Sequence, residues 1–247
     1  MRSLFPAALG LSLVLTVSAL ADDPSPGKQV EQSLTTSDGA KVPYLLYLPK
    51  EYSATGAKVP FMLFLHGRGE SDGPLSVVAK WGPPMRLASG EHLKYVVVSP
   101  QCPKESFWSK DDQQPRLLEL IAHIKKTYAI DDDRIYLTGL SMGGFGSWRL
   151  AAEHPEMFAA VAPVCGAGDP KNGAKLAKLP IWAWHGTDDK SVPFAKSVEM
   201  VEAIKAAGGT KVRFTSLEHI GHFSWQAAYE SNDLYDWFDK QKASQNK

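Results

Sequence analysis

Short apolar runs alternate along this 247-residue chain with longer segments whose apolar residues recur at helical spacing. Several of the runs are apolar at consecutive positions, which is typical of strands buried on both faces of a parallel sheet. The runs cover residues 59–65, 95–99, 134–138, 159–164, 181–184 and 212–216. This alternation predicts an α/β fold in which helices flank a doubly wound, mostly parallel sheet. In such a sheet, ligands bind at the carboxyl ends of the strands.

Other segments extend this prediction at the N-terminus and between the runs. Residues 29–36 and 42–48 are β-prone and flank Ser37-Asp38-Gly39, which indicates an antiparallel N-terminal hairpin. Helices are expected around residues 117–128 and 198–204 and from about residue 226 onward. Asp111 and Asp112 are candidate caps for the first of these helices.

The first residues have the pattern of a secretory signal peptide. Arg2 gives a positive start, residues 9–17 an apolar centre, and Ala19-Leu20-Ala21 a small-x-small cleavage site. We therefore expect residues 1–21 to be removed on export and the protein to be secreted or periplasmic, with no stable membrane insertion. The alternative is an uncleaved anchor, because the apolar stretch borders on the roughly 20 residues that span a bilayer. The remainder divides into a flexible leader (22–28), one α/β domain (29–240) and a polar tail (241–247) that is expected to fray.

Composition excludes several classes of function. Lys and Arg number 27 and Asp and Glu number 27, so the net charge is zero and no basic surface points to nucleic acid. With 44% hydrophobic and 22% charged residues, the chain has the make-up of a soluble globular protein. Its two cysteines, Cys102 and Cys165, are too few for a disulfide framework or a multi-cysteine zinc site. The sequence therefore indicates no metal ion and no other cofactor.

A candidate nucleophile lies where one predicted strand is followed by a predicted helix. Residues 139–143 read G-x-S-x-G with Ser141 at the centre, the pattern of a sharp turn that lifts a serine hydroxyl above the sheet. Glycines are needed there because the turn leaves no room for side chains beside the serine. The N–H of Met142 would lie at a helix N-terminus, where unpaired donors stabilise an oxyanion. The alternative is a glycine-rich turn with an incidental serine.

A serine hydroxyl becomes a strong nucleophile only when an oriented base removes its proton. The favoured base is His222, which follows a glycine after the last strand-like run and precedes a predicted helix; His219 is the alternative. A carboxylate should orient that imidazole and stabilise its charged form. Asp188 and Asp189 follow one strand-like run and Asp169 follows another, so the residues alone leave the acid undecided.

The loop after the first buried run reads His-Gly-Arg-Gly-Glu at residues 66–70. Its two glycines allow the backbone to approach a substrate, and the N–H of Arg68 would be the second oxyanion donor beside that of Met142. The side chains of Arg68 and Glu70 are expected to pair with each other, the alternative being contact with the substrate. His66 and His185 each follow a strand and precede a glycine, which suggests positions packed beneath the site.

Five motifs in order make the chain resemble the α/β-hydrolase superfamily. The resemblance is to its exported carboxylesterase branch, which includes dienelactone-hydrolase-like, phospholipase/carboxylesterase and feruloyl-esterase-like proteins. The motifs are H-G-x-G-E at 66–70, S-P-Q-C-P at 99–103, G-L-S-M-G-G at 139–144, H-G-x-x-D-x-x-V-P at 185–193 and G-H-x-x-W at 221–225. The resemblance implies a single-domain α/β-hydrolase and a serine esterase that needs no cofactor.

The resemblance also implies a role for each candidate residue. Ser141 corresponds to the nucleophile, His222 to the base and Asp189 to the acid, while Arg68 and Met142 supply the oxyanion donors. The resemblance also implies that Gln101 and Trp108 line the substrate pocket. Separately, the expected rim of an open site comprises Trp108, Phe223, Trp225 and Trp81. The family's strand order places two strands between those that precede the two cysteines, which puts the cysteines about 14 Å apart. That distance exceeds the roughly 7 Å between Cα atoms that a disulfide allows, so we expect no bridge.

Related enzymes often insert a cap over the site, but only residues 166–179 separate two consecutive strand-like runs here. We therefore expect no large cap domain and an open site. An open, aromatic-rimmed site suits feruloyl or acetyl esters on polysaccharide, and a broad small-ester carboxylesterase is equally compatible. The other function classes are a serine peptidase with the same triad and a non-catalytic binding protein on the same fold.

Overall fold

The computed structural model describes residues 24–246, in which eight strands form one sheet. The strands are β1 (Gln29–Thr35), β2 (Lys41–Tyr47), β3 (Val59–Leu65), β4 (Val96–Pro100), β5 (Ile130–Leu140), β6 (Ala160–Val164), β7 (Ile181–Gly186) and β8 (Val212–Leu217). Each strand coincides, within a few residues at its ends, with a strand expected from the sequence. The predicted signal peptide, residues 1–21, lies outside the described residues.

The order of strands in the sheet is β1-β2-β4-β3-β5-β6-β7-β8. Strands β1 and β2 form the predicted antiparallel hairpin, and β2 also runs antiparallel to β4. All other neighbouring strands are parallel. The mostly parallel α/β sheet with an N-terminal hairpin is therefore confirmed. Because strands β3 to β8 run parallel, the loops that follow them meet at one edge of the sheet.

Within residues 24–246, seven α-helices cover the sheet. They are α1 (Gly82–Ala88), α2 (Gln113–Thr127), α3 (Met142–Glu153), α4 (Gly173–Leu176), α5 (Ala195–Ala206), α6 (Trp225–Glu230) and α7 (Asn232–Asp239). Helices α2, α3 and α5 pack on one face, whereas α1, α6 and α7 pack on the other. No helix in this part of the chain is long and apolar enough to cross a bilayer.

Strand β3 shows why the apolar runs are uninterrupted. Phe61, Leu63 and Leu65 belong to the core on the face covered by α2, α3 and α5, and Met62 and Phe64 to the core on the opposite face. All five side chains are fully buried. Since successive side chains of a strand point to opposite faces, a strand covered on both faces needs apolar residues at consecutive positions.

Two helix expectations are wrong in detail. Asp112 precedes α2, but its carboxylate binds the Arg116 guanidinium and the Gln113 amide, each at 2.9 Å, rather than the helix backbone. Its own backbone is already helical, whereas a capping residue is extended. The single C-terminal helix expected from about residue 226 is two helices, because Ser231 is extended and its Oγ accepts the N–H of Asp233 to begin α7.

Residues 243–246 of the predicted polar tail contact the domain. Residues 243–246 form a 3₁₀ turn that packs against the domain. Ser244 donates its N–H and its hydroxyl to Asp133, at 2.6 and 2.8 Å. The amide of Asn246 donates to the carbonyl oxygens of Phe158 and Ala159, each at 3.2 Å. These hydrogen bonds join the polar side chains of the segment to specific partners in the domain.

Two further expectations concern the segment after β6 and the cysteines. Between β6 and β7 the chain forms only a 3₁₀ turn, Pro170–Asn172, and the short α4, so no cap domain is inserted there.

Cys102 and Cys165 are both free and buried. The strands that precede them, β4 and β6, are separated by β3 and β5, as expected.

Candidate active site

Ser141 occupies the turn between β5 and α3 at the carboxyl edge of the sheet. Its backbone has φ 52° and ψ −116°, a conformation that is strained for any residue with a side chain. Its N–H donates to the Val164 carbonyl at 2.9 Å, which ties the turn to the end of β6. The surrounding structure thus holds the serine in a conformation that it would not adopt alone.

The glycines around Ser141 are required by close backbone contacts. A Cβ atom on Gly143 would lie 1.8 Å from the Leu65 carbonyl oxygen, and one on Gly139 would lie 2.5 Å from the Gly143 carbonyl oxygen. Side-chain rotation cannot relieve either contact, because both neighbours are backbone atoms. The G-x-S-x-G pattern therefore reflects the packing of β5, α3 and the end of β3.

We expect Gly143→Ala to lower the free energy of unfolding by about 3 kcal/mol or more, because the added methyl group overlaps the Leu65 carbonyl. Urea denaturation measures this loss. Gly69→Ala is the matched control, since a methyl group added there would have no heavy atom within 4 Å, and it should change stability by less than about 0.5 kcal/mol. Equal stabilities of the two variants would contradict the packing argument.

His222, in the loop between β8 and α6, lies between the side chains of Ser141 and Asp189. Its Nε2 is 2.8 Å from Ser141 Oγ, and its Nδ1 is 2.7 Å from Asp189 Oδ2. A neutral imidazole that donates from Nδ1 to the carboxylate presents an unprotonated Nε2, which accepts the serine hydroxyl proton. The structure thus joins the three side chains, called the triad below, in one hydrogen-bonded chain.

Asp189 is buried but well supplied with hydrogen-bond donors. Its Oδ1 accepts the N–H groups of Ser191 and Val192, at 2.8 and 2.9 Å. Burial alone would raise the pKa of Asp189, but the hydrogen bonds from His222, Val192 and Ser191 outweigh it and hold the pKa below its ordinary value. An ionised carboxylate at this position stabilises positive charge on the His222 ring.

The alternative candidates lie away from this chain. Asp188 is exposed, and its carboxylate is 3.8 Å from Nδ1 of His219, whose side chain is 90% exposed. The Asp169 carboxylate accepts the N–H of Lys171 at 3.0 Å and caps a 3₁₀ turn. Of the three carboxylates left open by the sequence, only Asp189 contacts the imidazole that reaches Ser141.

His185 is packed beneath the site, as its sequence position suggests. Its Nε2 is 3.1 Å from Asp189 Oδ2 and 3.0 Å from the Val192 carbonyl, and its Nδ1 is 2.7 Å from Ser197 Oγ. Because both neighbours of Nε2 are acceptors, this nitrogen carries the proton. His185 is therefore a second donor to the carboxylate oxygen that holds His222. Burial lowers the pKa of His185.

His66 is the second buried histidine and braces the loop that follows β3. Its Nε2 accepts the N–H of Cys102 at 2.9 Å, so the proton lies on Nδ1, 2.6 Å from the Gly67 carbonyl oxygen. The ring packs edge-on against Trp108 at a centroid distance of 5.2 Å. Burial lowers the pKa of His66 from 6.5 to about 4, consistent with a ring whose second nitrogen must remain an acceptor.

His66 should make stability depend on pH. Unfolded His66 binds a proton below pH 6.5, whereas the folded ring does so only near pH 4. The contribution of the neutral His66 ring to the free energy of unfolding is therefore complete above pH 6.5. It is lost as the pH falls toward 4, which lowers that free energy by about 3 kcal/mol. In His66→Gln, urea denaturation at pH 7 and pH 4.5 should show a smaller acid-induced loss than in the unmodified protein. An equal loss in both proteins would contradict this role.

The candidate oxyanion donors flank Ser141. Met142 is the first residue of α3, where N–H groups have no partner within the helix. On the other side, a Cβ atom on Gly67 would lie 2.7 Å from Leu140 Cδ1 and 3.7 Å from Ser141 Cβ, so the loop backbone that leads to Arg68 runs beside the serine. An oxygen that becomes negative beside Ser141 can accept hydrogen bonds from both sides.

The expected pairing of Arg68 with Glu70 is wrong. Arg68 instead donates to the Ser106 carbonyl oxygen at 2.5 Å. This bond ties the loop after β3, residues 66–70, called the oxyanion loop below, to the segment after β4. Glu70 is buried, and burial raises the pKa of its carboxyl group despite the nearby Lys80 and the Gly67 N–H. The guanidinium has a backbone carbonyl within reach, so the carboxylate is not needed as its partner.

A cavity of about 270 Å³ opens beside Ser141 and His222. Its lining comprises Gly67, Arg68, Gly69, Glu70, Lys80, Trp81, Leu140, Ser141, His222, Phe223 and Trp225. Trp81, Phe223 and Trp225 contact one another and form an aromatic wall, in which the Phe223 side chain is 56% exposed. Trp225 also packs against the His222 ring with an interplanar angle of 88°. Larger cavities occur elsewhere in the described chain, but they contain no triad residue.

Two residues expected in the pocket do not line it. Trp108 is fully buried and donates its Nε1–H to the His66 carbonyl at 3.1 Å. Gln101 donates its amide to the Glu70 carbonyl at 3.0 Å. Both side chains therefore support the oxyanion loop by donating to its backbone carbonyl groups. Lys80 was missed by the sequence analysis because it lies in a segment without a recognisable motif.

Comparisons with known proteins identify a matching family and proteins of the same fold. The sequence profile of the dienelactone hydrolase family matches residues 101–242. The chain is 31% identical over 136 residues to a putative carboxymethylenebutenolidase from Methylorubrum extorquens, which is 48% of this chain and 47% of that protein. This chain therefore spans about half the length of this relative.

A solved thermostable esterase has a similar structure, with a TM-score of 0.74 and 32% identity, covering 87% of this chain and 63% of that one. A ferulic acid esterase shares the fold, with a TM-score of 0.66 and 21% identity over 85% of this chain and 96% of that one.

Proposed function

We propose that this chain, which belongs to the dienelactone hydrolase family, is a serine esterase that cleaves carboxylic esters through an acyl-enzyme on Ser141. The observation that carries the proposal is the continuous hydrogen-bonded path from Ser141 Oγ through His222 to the buried Asp189. A serine at a strained turn with an oriented base and a buried carboxylate is the arrangement that nucleophilic acyl transfer requires.

In the first half of the reaction, Ser141 Oγ attacks the ester carbonyl carbon while its proton passes to His222 Nε2. The carbonyl oxygen becomes negative and accepts hydrogen bonds from the N–H groups of Arg68 and Met142. Asp189 remains ionised and stabilises the imidazolium. The tetrahedral intermediate then expels the alcohol oxygen, which takes the proton from Nε2, and leaves the acyl group on Ser141.

The second half repeats these steps with water. Water attacks the acyl carbon as His222 Nε2 takes one of its protons, and the oxyanion again forms opposite the same two N–H groups. Collapse breaks the bond to Ser141 Oγ, which recovers the proton from Nε2. The products are a carboxylic acid and the alcohol, and the protein returns to its initial protonation state.

The proposed substrates are esters carried on a bulky or flat group, such as feruloyl or acetyl esters on polysaccharide. Two features support this choice: the open cavity, and the aromatic wall of Trp81, Phe223 and Trp225, whose ring faces suit an aromatic acyl group or a sugar ring. We also propose that the protein acts outside the cytoplasm, secreted or periplasmic, on the strength of the signal-peptide pattern in residues 1–21.

A substrate panel tests the proposal. It comprises p-nitrophenyl acetate, longer acyl p-nitrophenyl esters, methyl ferulate, acetylated xylan and p-nitroanilides with matched acyl groups. We expect ester turnover that is lost in Ser141→Ala, and much slower cleavage of the anilides. Faster turnover of anilides would identify a peptidase instead. A folded protein that turns over no ester and no anilide would be a binding protein.

A further inference from the structure

Cys165 lies against the triad but has no part in the acyl-transfer steps described above. It follows β6, is fully buried, has φ 40°, and donates its N–H to the Trp184 carbonyl at 2.8 Å. Its Sγ, one ring nitrogen of His222 and a carboxylate oxygen of Asp189 all lie within 4.8 Å of one another. In residues 24–246, this is the one such group of three ligating side chains.

We propose that Cys165, His222 and Asp189 form an inhibitory binding site for a soft divalent cation, Zn²⁺ or Cd²⁺. Thiolate, imidazole and carboxylate are the side-chain ligands that Zn²⁺ takes in proteins. A tetrahedral ion about 2.0 to 2.3 Å from each ligand separates the ligand atoms by roughly 3.5 Å. The three ligand atoms, which now lie within 4.8 Å of one another, must therefore shift by about 1 Å to bind one ion. The His222 side chain, which is 19% exposed, borders the open cavity, whereas Cys165 and Asp189 do not line it, so an ion would reach them by passing the His222 ring.

Binding at this site would remove the base without a redox step. The ion takes the lone pair of His222 Nδ1, so the single proton of the neutral ring resides on Nε2. Cys165 loses its thiol proton to solvent as the sulfur–metal bond forms, so one proton is released for each ion bound. With Nε2 protonated, His222 donates to Ser141 Oγ instead of accepting its proton. Ester hydrolysis then stops at the first step.

The first measurement is activity on p-nitrophenyl acetate against added Zn²⁺ in chelator-free buffer. Because this readout rests on the proposed esterase function, a second readout avoids activity. Cd²⁺ bound to a thiolate gives an ultraviolet charge-transfer absorption, which can be titrated in Ser141→Ala as well as in the unmodified protein. We expect saturation at one equivalent of Cd²⁺, inhibition by Zn²⁺, and reversal of both by a chelator.

Cys165→Ser is the decisive variant, and Cys102→Ser is its matched control because Cys102 is the other buried, free cysteine. Cys165→Ser should keep ester turnover within about threefold, lose the Cd²⁺ absorption and weaken Zn²⁺ inhibition by at least about tenfold. Cys102→Ser should retain both metal responses. If Cys165→Ser fails to fold, Cys165→Ala takes its place, and the absorption in Cys102→Ser still reports on the Cys165 thiol.

Three outcomes would overturn the proposed metal site. They are unchanged Zn²⁺ inhibition in the folded Cys165 variant, absence of the Cd²⁺ absorption in the unmodified protein, and loss of that absorption in Cys102→Ser. If no ester is hydrolysed at all, the esterase proposal fails, while the Cd²⁺ titration still decides whether the site exists.

Discussion

Ser141→Ala and His222→Ala are each expected to lower kcat for ester hydrolysis by about 10⁴ to 10⁶. Alanine at position 141 removes the attacking oxygen, and alanine at position 222 removes the only base within hydrogen-bond distance of that oxygen in the described structure. Because the two side chains act as a unit, the double variant should be little slower than either single variant. Steady-state kinetics on p-nitrophenyl acetate, with circular dichroism to verify folding, measure the effect.

His219→Ala is the control for the His222 variant. The two histidines share one loop, but His219 is exposed and contacts only Asp188 among the charged groups. We expect its removal to change kcat by less than about threefold. Losses that multiply in the double variant, or a loss at His219 as large as that at His222, would show that Ser141 and His222 do not act together.

Asp189→Asn should lower kcat by about 10³ to 10⁴ while the fold is retained. The carboxylate now accepts the His222 Nδ1 proton at 2.7 Å. An amide at that position no longer stabilises the imidazolium, and its own N–H favours the tautomer with the proton on Nε2. The same kinetic assay measures the loss.

Asp188→Asn is the matched control, since it makes the same chemical change at the neighbouring residue. Asp188 is exposed and lies outside the triad, so its variant should lose less than about tenfold. If the larger loss occurs at Asp188, or at Asp169 after the same substitution, the acid has been assigned to the wrong residue. The assignments of Ser141 and His222 would be unaffected.

The strands were predictable because burial on both faces leaves a direct mark on the sequence, as in the uninterrupted run of β3. The N-terminal hairpin was predictable because its turn residues follow local rules that distant contacts do not change. The misjudged features depend on specific partners. Asp112 binds Arg116 rather than the helix backbone, and Ser244 in the C-terminal tail donates to Asp133. Asp112 and Arg116 are four residues apart, so their pairing competes locally with helix capping, whereas the hydrogen bond from Ser244 to Asp133 joins residues 111 positions apart and leaves no local pattern.

The site residues also divide into those that a local motif identifies and those that only the fold places. Ser141 and its glycines were identified from the motif because the tight turn restricts which residues fit. The acid stayed open at the level of residues, because three loop carboxylates look alike until the fold places one beside His222. Trp108 was misplaced because the family resemblance locates a residue near the site but does not fix the direction of its side chain. Its indole points inward and supports the oxyanion loop.

Covalent trapping tests the central claim most directly, because it reports the nucleophile itself. The folded protein is incubated with an alkyl fluorophosphonate, and intact-mass measurement is followed by peptide mapping. We expect one phosphonyl group per chain, on the peptide that contains Ser141, with parallel loss of ester hydrolysis and no adduct in Ser141→Ala. An adduct on another residue, or undiminished ester hydrolysis by Ser141→Ala, would contradict the account.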